Sequence, residues 1–179
     1  DYEQAAHWLS SAAAQDHKYA QYSLGGLYYR GQGVAQDDVR AFSLYEKSAA
    51  QENAYADYEL AKMLRDGIGC EKNTARADEH FRAAFEGFQD MEAGRSDDRL
   101  QYRLGQMLRD GFGPEPAAEL ARQYFEASAR LRNPHAQYPL AKLYLDAGDD
   151  PSRFPRALAG LANLSDRGNA LAQHCSRHL

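Results

Sequence analysis

The chain has 179 residues, 44% of them hydrophobic and 26% charged, with a formal net charge of -5. That is enough apolar side chain for a packed core and too much for a disordered segment. The acidic balance argues against a duplex-binding footprint, no apolar run reaches the roughly 18–20 residues of a membrane span, and the two distant cysteines, Cys70 and Cys175, exclude a disulfide framework and a cysteine-rich zinc site.

In chain order, the first predicted element is a helix through Ala5 and Leu9, the second half of a unit. A phrase Tyr-x-Leu-Gly/Ala then recurs: "YSLG" from Tyr22, "YELA" from Tyr58, "YRLG" from Tyr102 and "YPLA" from Tyr138, spaced 36, 44 and 36 residues apart. A second register runs through Ala5, Ala41, Ala77, Ala121 and Ala157, each followed four positions later by Leu9, Tyr45, Phe81, Phe125 or Leu161. Small then bulky at i and i+4 is one face of a helix. Each unit of 36 residues therefore reads as two helices, with eight extra residues in one copy.

Helix A of the first full unit is predicted over 18–30, with Leu24, Leu27 and Tyr28 on one face and Gly25 beside them. The later copies place Ala61, Gly105 and Ala141 at that small position, where a neighbouring helix approaches closely. Helix B is predicted over 37–50, 73–89, 117–131 and 153–166, with Asp37 and Asn73 as N-cap residues. Gly31, Gly67 and Gly111 follow the last turn of helix A and are predicted to end it in the left-handed conformation. Gly33, Gly69 and Gly113 help to reverse the chain. No Lys-Ser/Thr follows, so the phosphate-loop pattern fails.

The extra residues fall near 86–97. The spacing predicts a longer helix B through Phe85, Phe88 and Met91, with Ser96 capping the next helix; the extension is read either as added core or as a ridge for a partner. In the last full unit Ala147 and Asp149 replace the two glycines, and Pro139 lies inside a helix predicted to start at Pro134 behind Asn133. A proline there predicts a local irregularity, not a straight helix through 134–146.

Candidate chemistry is sparse. His174 and His178 at i, i+4 beside Cys175 have a metal-gripping spacing but no His-Glu-x-x-His arrangement, and no metal or cofactor is expected. His80 reads as partly packed core. No Ser/His/Asp or Cys/His set stands out, so no catalytic residue is assigned.

"YAQYSLGGLYYRGQGVAQDDVRAFSLYEKSAAQEN" (19–53) resembles the Sel1-like repeat, a relative of the tetratricopeptide repeat, nearly end to end. The resemblance implies an all-α protein, an α-solenoid of about ten antiparallel helices in a right-handed superhelix, acting as a non-catalytic adaptor. The chain divides into a partial repeat 1–17, repeats 18–53, 54–97, 98–133 and 134–169, and a partial repeat 170–179. It is read as one domain of a longer bacterial, cytoplasmic protein. Its two ends, Trp8 included, expose faces that a neighbouring repeat or a second copy would cover. A second, weaker resemblance links "GFQDMEAGRSDDRLQYRLGQMLRDG" (87–111) to Sel1-like C-terminal regions of bacterial mobilisation relaxases.

In a superhelix of helix pairs the A helices commonly line the concave side. By register the groove candidates are Gln21, Asp57, Gln101 and Gln137; then Gly26, Lys62, Gln106 and Lys142; then Tyr29, Arg65, Arg109 and Leu145. Lys62, Arg65, Arg109 and Lys142 form a mildly basic stripe. Two readings of it stand: a seat for an acidic or carboxylate-terminated peptide, or a solvated face whose arginines pair with Asp66 and Asp110. At the level of function, a protein-binding scaffold leads, and an accessory region contributing DNA or relaxosome contact is the alternative.

Overall fold

The computed structural model describes residues 1–112, 117–131 and 133–146, with Leu145 and Asp146 described by backbone only. Among them every regular element is helical: α1 (Tyr2–Ala13), α2 (Lys18–Arg30), α3 (Asp38–Ala49), α4 (Ala54–Asp66), α5 (Thr74–Gly94), α6 (Asp98–Arg109), α7 (Ala117–Arg130), a 3₁₀ turn (Pro134–Ala136) and α8 (Gln137–Asp146). The helices expected over 153–166 and 170–179, with Gly113, lie outside the described residues. The backbone forms two compact units, Asp1–Asp90 and Met91–Leu179, whose boundary falls within α5.

Helix starts follow the short polar side chains. Asp1, Asp37 and Asn53 cap α1, α3 and α4, and Asn73 accepts from the Arg76 amide at 3.0 Å as α5 begins. Each satisfies one of the orphan amides of a first turn, worth about 1 kcal/mol. The α6 cap is Asp97, not Ser96: its carboxylate accepts from the Arg99 and Leu100 amides at 2.9 and 3.0 Å. Ser96 Oγ instead donates back to Glu92 Oε1 at 3.3 Å.

Helix ends recur in the same geometry. Gln32, Ile68 and Phe112 donate their amides to Leu27, Met63 and Met107, five residues back, at 3.0, 3.0 and 2.7 Å. The residue between donor and helix must be left-handed for this bond to close. Gly31, Gly67 and Gly111 supply it, at φ 63°, 73° and 86°.

In the first unit, the apolar faces of α1 to α5 meet around Leu24, Leu27, Tyr45, Leu60, Met63, Leu64, Phe81, Phe85 and Phe88, all buried. Fully burying a side chain of this size contributes about 1.5–3 kcal/mol. The tyrosine register repeats: Tyr22 lies 5.8 Å from Tyr45 and Tyr58 lies 5.9 Å from Phe81. In the second unit Tyr102 lies 5.8 Å from Phe125, over a core of Leu100, Leu104, Met107, Leu108 and Phe125. Tyr138 would continue the series onto Leu161, which is outside the described residues. The small position works as expected. A Cβ on Gly25 would stand 3.0 Å from the Tyr45 ring, and one on Gly105 would stand 2.8 Å from the Phe125 ring.

The extra residues lengthen α5 to 21 residues. Phe85 and Phe88 are core and Met91 is exposed. Glu92, on the added turns, accepts from the Asp97 amide at 3.1 Å and from Gln101 Nε2 at 2.6 Å, which ties the extension to the next helix. The irregularity expected at Pro139 is present. Asn133 caps a 3₁₀ turn, and α8 starts only at Gln137. Pro139 is then the third residue of α8, where the missing N–H has no intrahelical carbonyl to meet.

Candidate functional site

Candidate faces are carried by the A helices, α2 and α4 within the first unit and, separately, α6 and α8 within the second. Their first row does not face solvent. Gln21, Asp57 and Gln101 are buried, whereas the sequence placed them where a ligand would touch. Each instead bonds within its unit. Gln21 Nε2 donates to Asp16 Oδ1 at 3.2 Å, and Gln21 Oε1 accepts from Gln51 Nε2 at 2.8 Å. Asp57 Oδ1 lies 2.8 Å from His80 Nδ1. Gln101 reaches Glu92. Gln137, the fourth member, is half-buried.

The second and third rows reach the surface. Tyr29, Lys62, Arg65 and Gln106 are half-buried, and Arg109 and Lys142 are exposed. Gly26 is buried, and of Leu145 only the backbone is described. On α4, Lys62 and Arg65 stand one turn apart. Lys62 Nζ bonds Glu59 Oε2 at 2.7 Å and lies 5.3 Å over the Tyr58 ring. Arg65 Nε and Nη2 donate to the two carboxylate oxygens of Asp66 at 2.8 and 3.0 Å, and its guanidinium lies 5.9 Å over the Phe81 ring. The Arg65 hydrogen bond, helped by its charge, holds the Asp66 carboxyl below its ordinary value. On α6 the same pair recurs, Arg109 Nε to Asp110 Oδ1 at 2.8 Å. The arginines therefore pair with their following aspartates, and the charges of Lys62, Arg65 and Arg109 are balanced locally. Gln106 Nε2 donates to Tyr102 Oη at 3.1 Å.

Among the described residues no three His, Cys, Asp or Glu side chains gather as a metal site, and no helix is long and apolar enough to cross a membrane. His174, His178 and Cys175 lie outside the described residues. Cys70 is a free thiol whose Sγ lies 3.6 Å from the Met63 carbonyl; burial raises its pKa.

A model of the Sel1 repeat matches residues 1–17, 18–53, 54–87 and 99–133. The chain belongs to the Sel1 repeat family. Among solved structures it is similar to a Sel1 repeat protein from Oxalobacter formigenes, at 30% identity and a TM-score of 0.65, over 95% of this chain and 64% of that one. It is also similar to a protective antigen present in uropathogenic Escherichia coli strains displaying an SLR fold, at 28% identity and a TM-score of 0.67, over 98% of this chain and 36% of that one. The chain thus spans less than two thirds of either protein. A comparison with curated proteins gives no match.

Two features of these Sel1 repeats escaped the sequence reading. The second glycine of the first two loops is left-handed as well, Gly33 at φ 70° and Gly69 at φ 68°. Each also presses on the start of the preceding helix B. A Cβ on Gly33 would stand 2.2 Å from the Tyr2 carbonyl carbon, and one on Gly69 would stand 2.2 Å from the Asp38 carbonyl oxygen. The second feature is a buried polar pair at the end of helix B. Ser48 Oγ donates to the Lys18 carbonyl at 2.8 Å and accepts from Asn53 Nδ2 at 2.8 Å. Ser128 and Asn133 both donate to the Asp98 carbonyl, at 2.6 and 3.2 Å. The signal was present: "SAAQEN" and "SARLRN" put Ser and Asn at the same two places of the repeat.

Proposed function

We propose that the chain is a non-catalytic protein-interaction scaffold whose A-helix faces receive a peptide segment of a partner. The observation that carries this reading is the repetition of one surface unit. Arg65 and Arg109 occupy the same register, and each is oriented by the aspartate that follows it, at 2.8 Å in both. A guanidinium held in a fixed direction loses less side-chain freedom when it meets a second carboxylate. The ligand class this supports is an acidic peptide or a free C-terminal carboxylate, bound by forked hydrogen bonds. Asp66 and Asp110 compete for these donors, so each contact is modest. Tyr29, Lys62, Gln106 and Lys142 supply the remaining contacts; Gln21, Asp57 and Gln101 position the helices and make none.

The test is a displayed peptide library selected on the immobilised chain, followed by anisotropy measurements on the winning peptide. Charge reversal at Arg65 and Arg109 together should weaken binding by at least about tenfold, since a hydrogen bond to a charged group is worth ~1.5–3 kcal/mol. The fold should survive, because exposed ion pairs contribute only ~0–1 kcal/mol. Unchanged affinity removes the groove. Binding of single-stranded DNA that falls steeply with salt would instead favour a nucleic-acid role.

A further inference from the structure

The last residue of α2 breaks the pattern of the A helices. Arg30 stands at the register of Asp66 and Asp110, and Tyr29 stands at the register of Arg65 and Arg109. Where those two repeats place an aspartate to pair with the arginine before it, this one places an arginine. Arg30 is exposed, and its Nε donates to a neutral group, Gln32 Oε1, at 2.9 Å. Among the described residues it makes no ion pair.

A glycine gives this guanidinium its seat. A Cβ on Gly26 would stand 2.9 Å from Arg30 Nη2 and 3.3 Å from Nη1. The side chain therefore folds back over its own helix, onto the position that Lys62 and Gln106 hold in later repeats. With Nε engaged by Gln32, Nη1 and Nη2 present a pair of donors that matches the two oxygens of one carboxylate. The nearby acid is already occupied. The buried Tyr45 phenol feels Glu59 of α4 and Arg30 of α2 in opposite senses, so both charges stand near one ring of the first unit. Glu59 Oε2 bonds Lys62 Nζ at 2.7 Å.

We infer that Arg30 is a carboxylate receptor on the A-helix face of the first unit, taking a glutamate or aspartate side chain from an acidic segment of the partner. This rests on the scaffold reading above and names its strongest contact. Arg65 and Arg109 share their donors with Asp66 and Asp110, whereas Arg30 gives up no carboxylate to bind one. Its seat on Gly26 and its bond to Gln32 hold it in one direction, which lowers the side-chain freedom lost on binding. A chain terminus offers a single carboxylate. A run of acidic side chains can meet Arg30 on α2 together with Lys62 and Arg65 on α4, and that is the ligand this unit favours.

The probe is a fluorescein-labelled hexaglutamate peptide with an amidated C-terminus, followed by anisotropy at low ionic strength. Arg30→Gln should weaken its binding at least about tenfold, the worth of a hydrogen bond to a charged group. Arg82→Gln removes the same charge from an exposed position on α5 and should change binding less than about twofold. Gly26→Ala keeps the charge but crowds the guanidinium off its seat. It should weaken binding without lowering the melting temperature, because alanine is the better helix former. The inference is overturned if wild type fails to bind hexaglutamate, if Arg30→Gln leaves binding unchanged, or if Arg82→Gln weakens it equally. Hexaglutamine with a free C-terminus bound as tightly as hexaglutamate overturns it as well, since a chain terminus would then be the ligand. The broader reading fails separately: charge reversal at Arg65 and Arg109 that abolishes binding while Arg30→Gln does not keeps the groove and removes Arg30 from it.

Discussion

Replacing Gly69 by alanine should cost more than replacing Gly67, although the two stand two residues apart in one loop. Both are left-handed, at φ 68° and 73°. That conformation costs an L-residue ~1–2 kcal/mol. At Gly67 the cost stops there: the nearest atom to a new methyl is Lys72 Cβ at 3.4 Å, ordinary contact. At Gly69 the methyl would stand 2.2 Å from the Asp38 carbonyl oxygen and 2.5 Å from its carbon. Neither atom can rotate away, since both belong to the backbone at the start of α3. Forcing the loop off the helix adds ~1–3 kcal/mol of overpacking. The expected losses are ~1–2 kcal/mol for Gly67→Ala and ~2–5 kcal/mol for Gly69→Ala. Urea unfolding followed by circular dichroism measures both, with two-state behaviour checked first because repeat arrays can lose it. Equal losses would refute the reasoning, since the second glycine would then serve only its own turn.

Ser48→Ala should destabilise by ~1–3 kcal/mol, because it strands the buried Asn53 side-chain amide; thermal melting measures it, and a neutral result would mean water replaces the hydroxyl. Burial raises the Tyr45 phenol above its ordinary value of 10.0. Its raised folded value makes this contribution to stability complete below the unfolded value and lost as pH rises through and beyond it. Tyr45→Phe should therefore flatten the fall of the melting temperature above about pH 10, and an unchanged slope would count against the buried phenol. Cys70, raised by burial, should alkylate more slowly at pH 8 than a free thiol in a Cys175→Ser background; an equal rate would contradict its placement.

The period and the two-helix unit were legible because they rest on contacts close in the repeat. A tyrosine in helix A meets the bulky residue of the next helix, and both letters recur. The first glycine of each loop was legible because its reason is local, a left-handed helix end. The second glycine was not, since its clash is with a carbonyl some thirty residues earlier, Tyr2 for Gly33 and Asp38 for Gly69. The candidate face was half legible. Repeat register placed Gln21, Asp57 and Gln101 on the ligand-facing side of helix A, but each finds hydrogen-bond partners that let it stay inside. The pairing of Arg65 and Arg109 with the next aspartate stood among the two readings of the stripe, and it needs only adjacent residues. Pro139 was legible as a disturbance because proline's missing donor constrains any helix.

Everything proposed for this chain requires that successive layers place equivalent side chains in equivalent surroundings. Nuclear Overhauser contacts in a sample labelled on tyrosine and phenylalanine rings test this most directly. The account predicts ring-to-ring contacts for Tyr22 with Tyr45, Tyr58 with Phe81 and Tyr102 with Phe125, each pair 23 residues apart in sequence. A spectrum that links those three tyrosines to unrelated partners would contradict it.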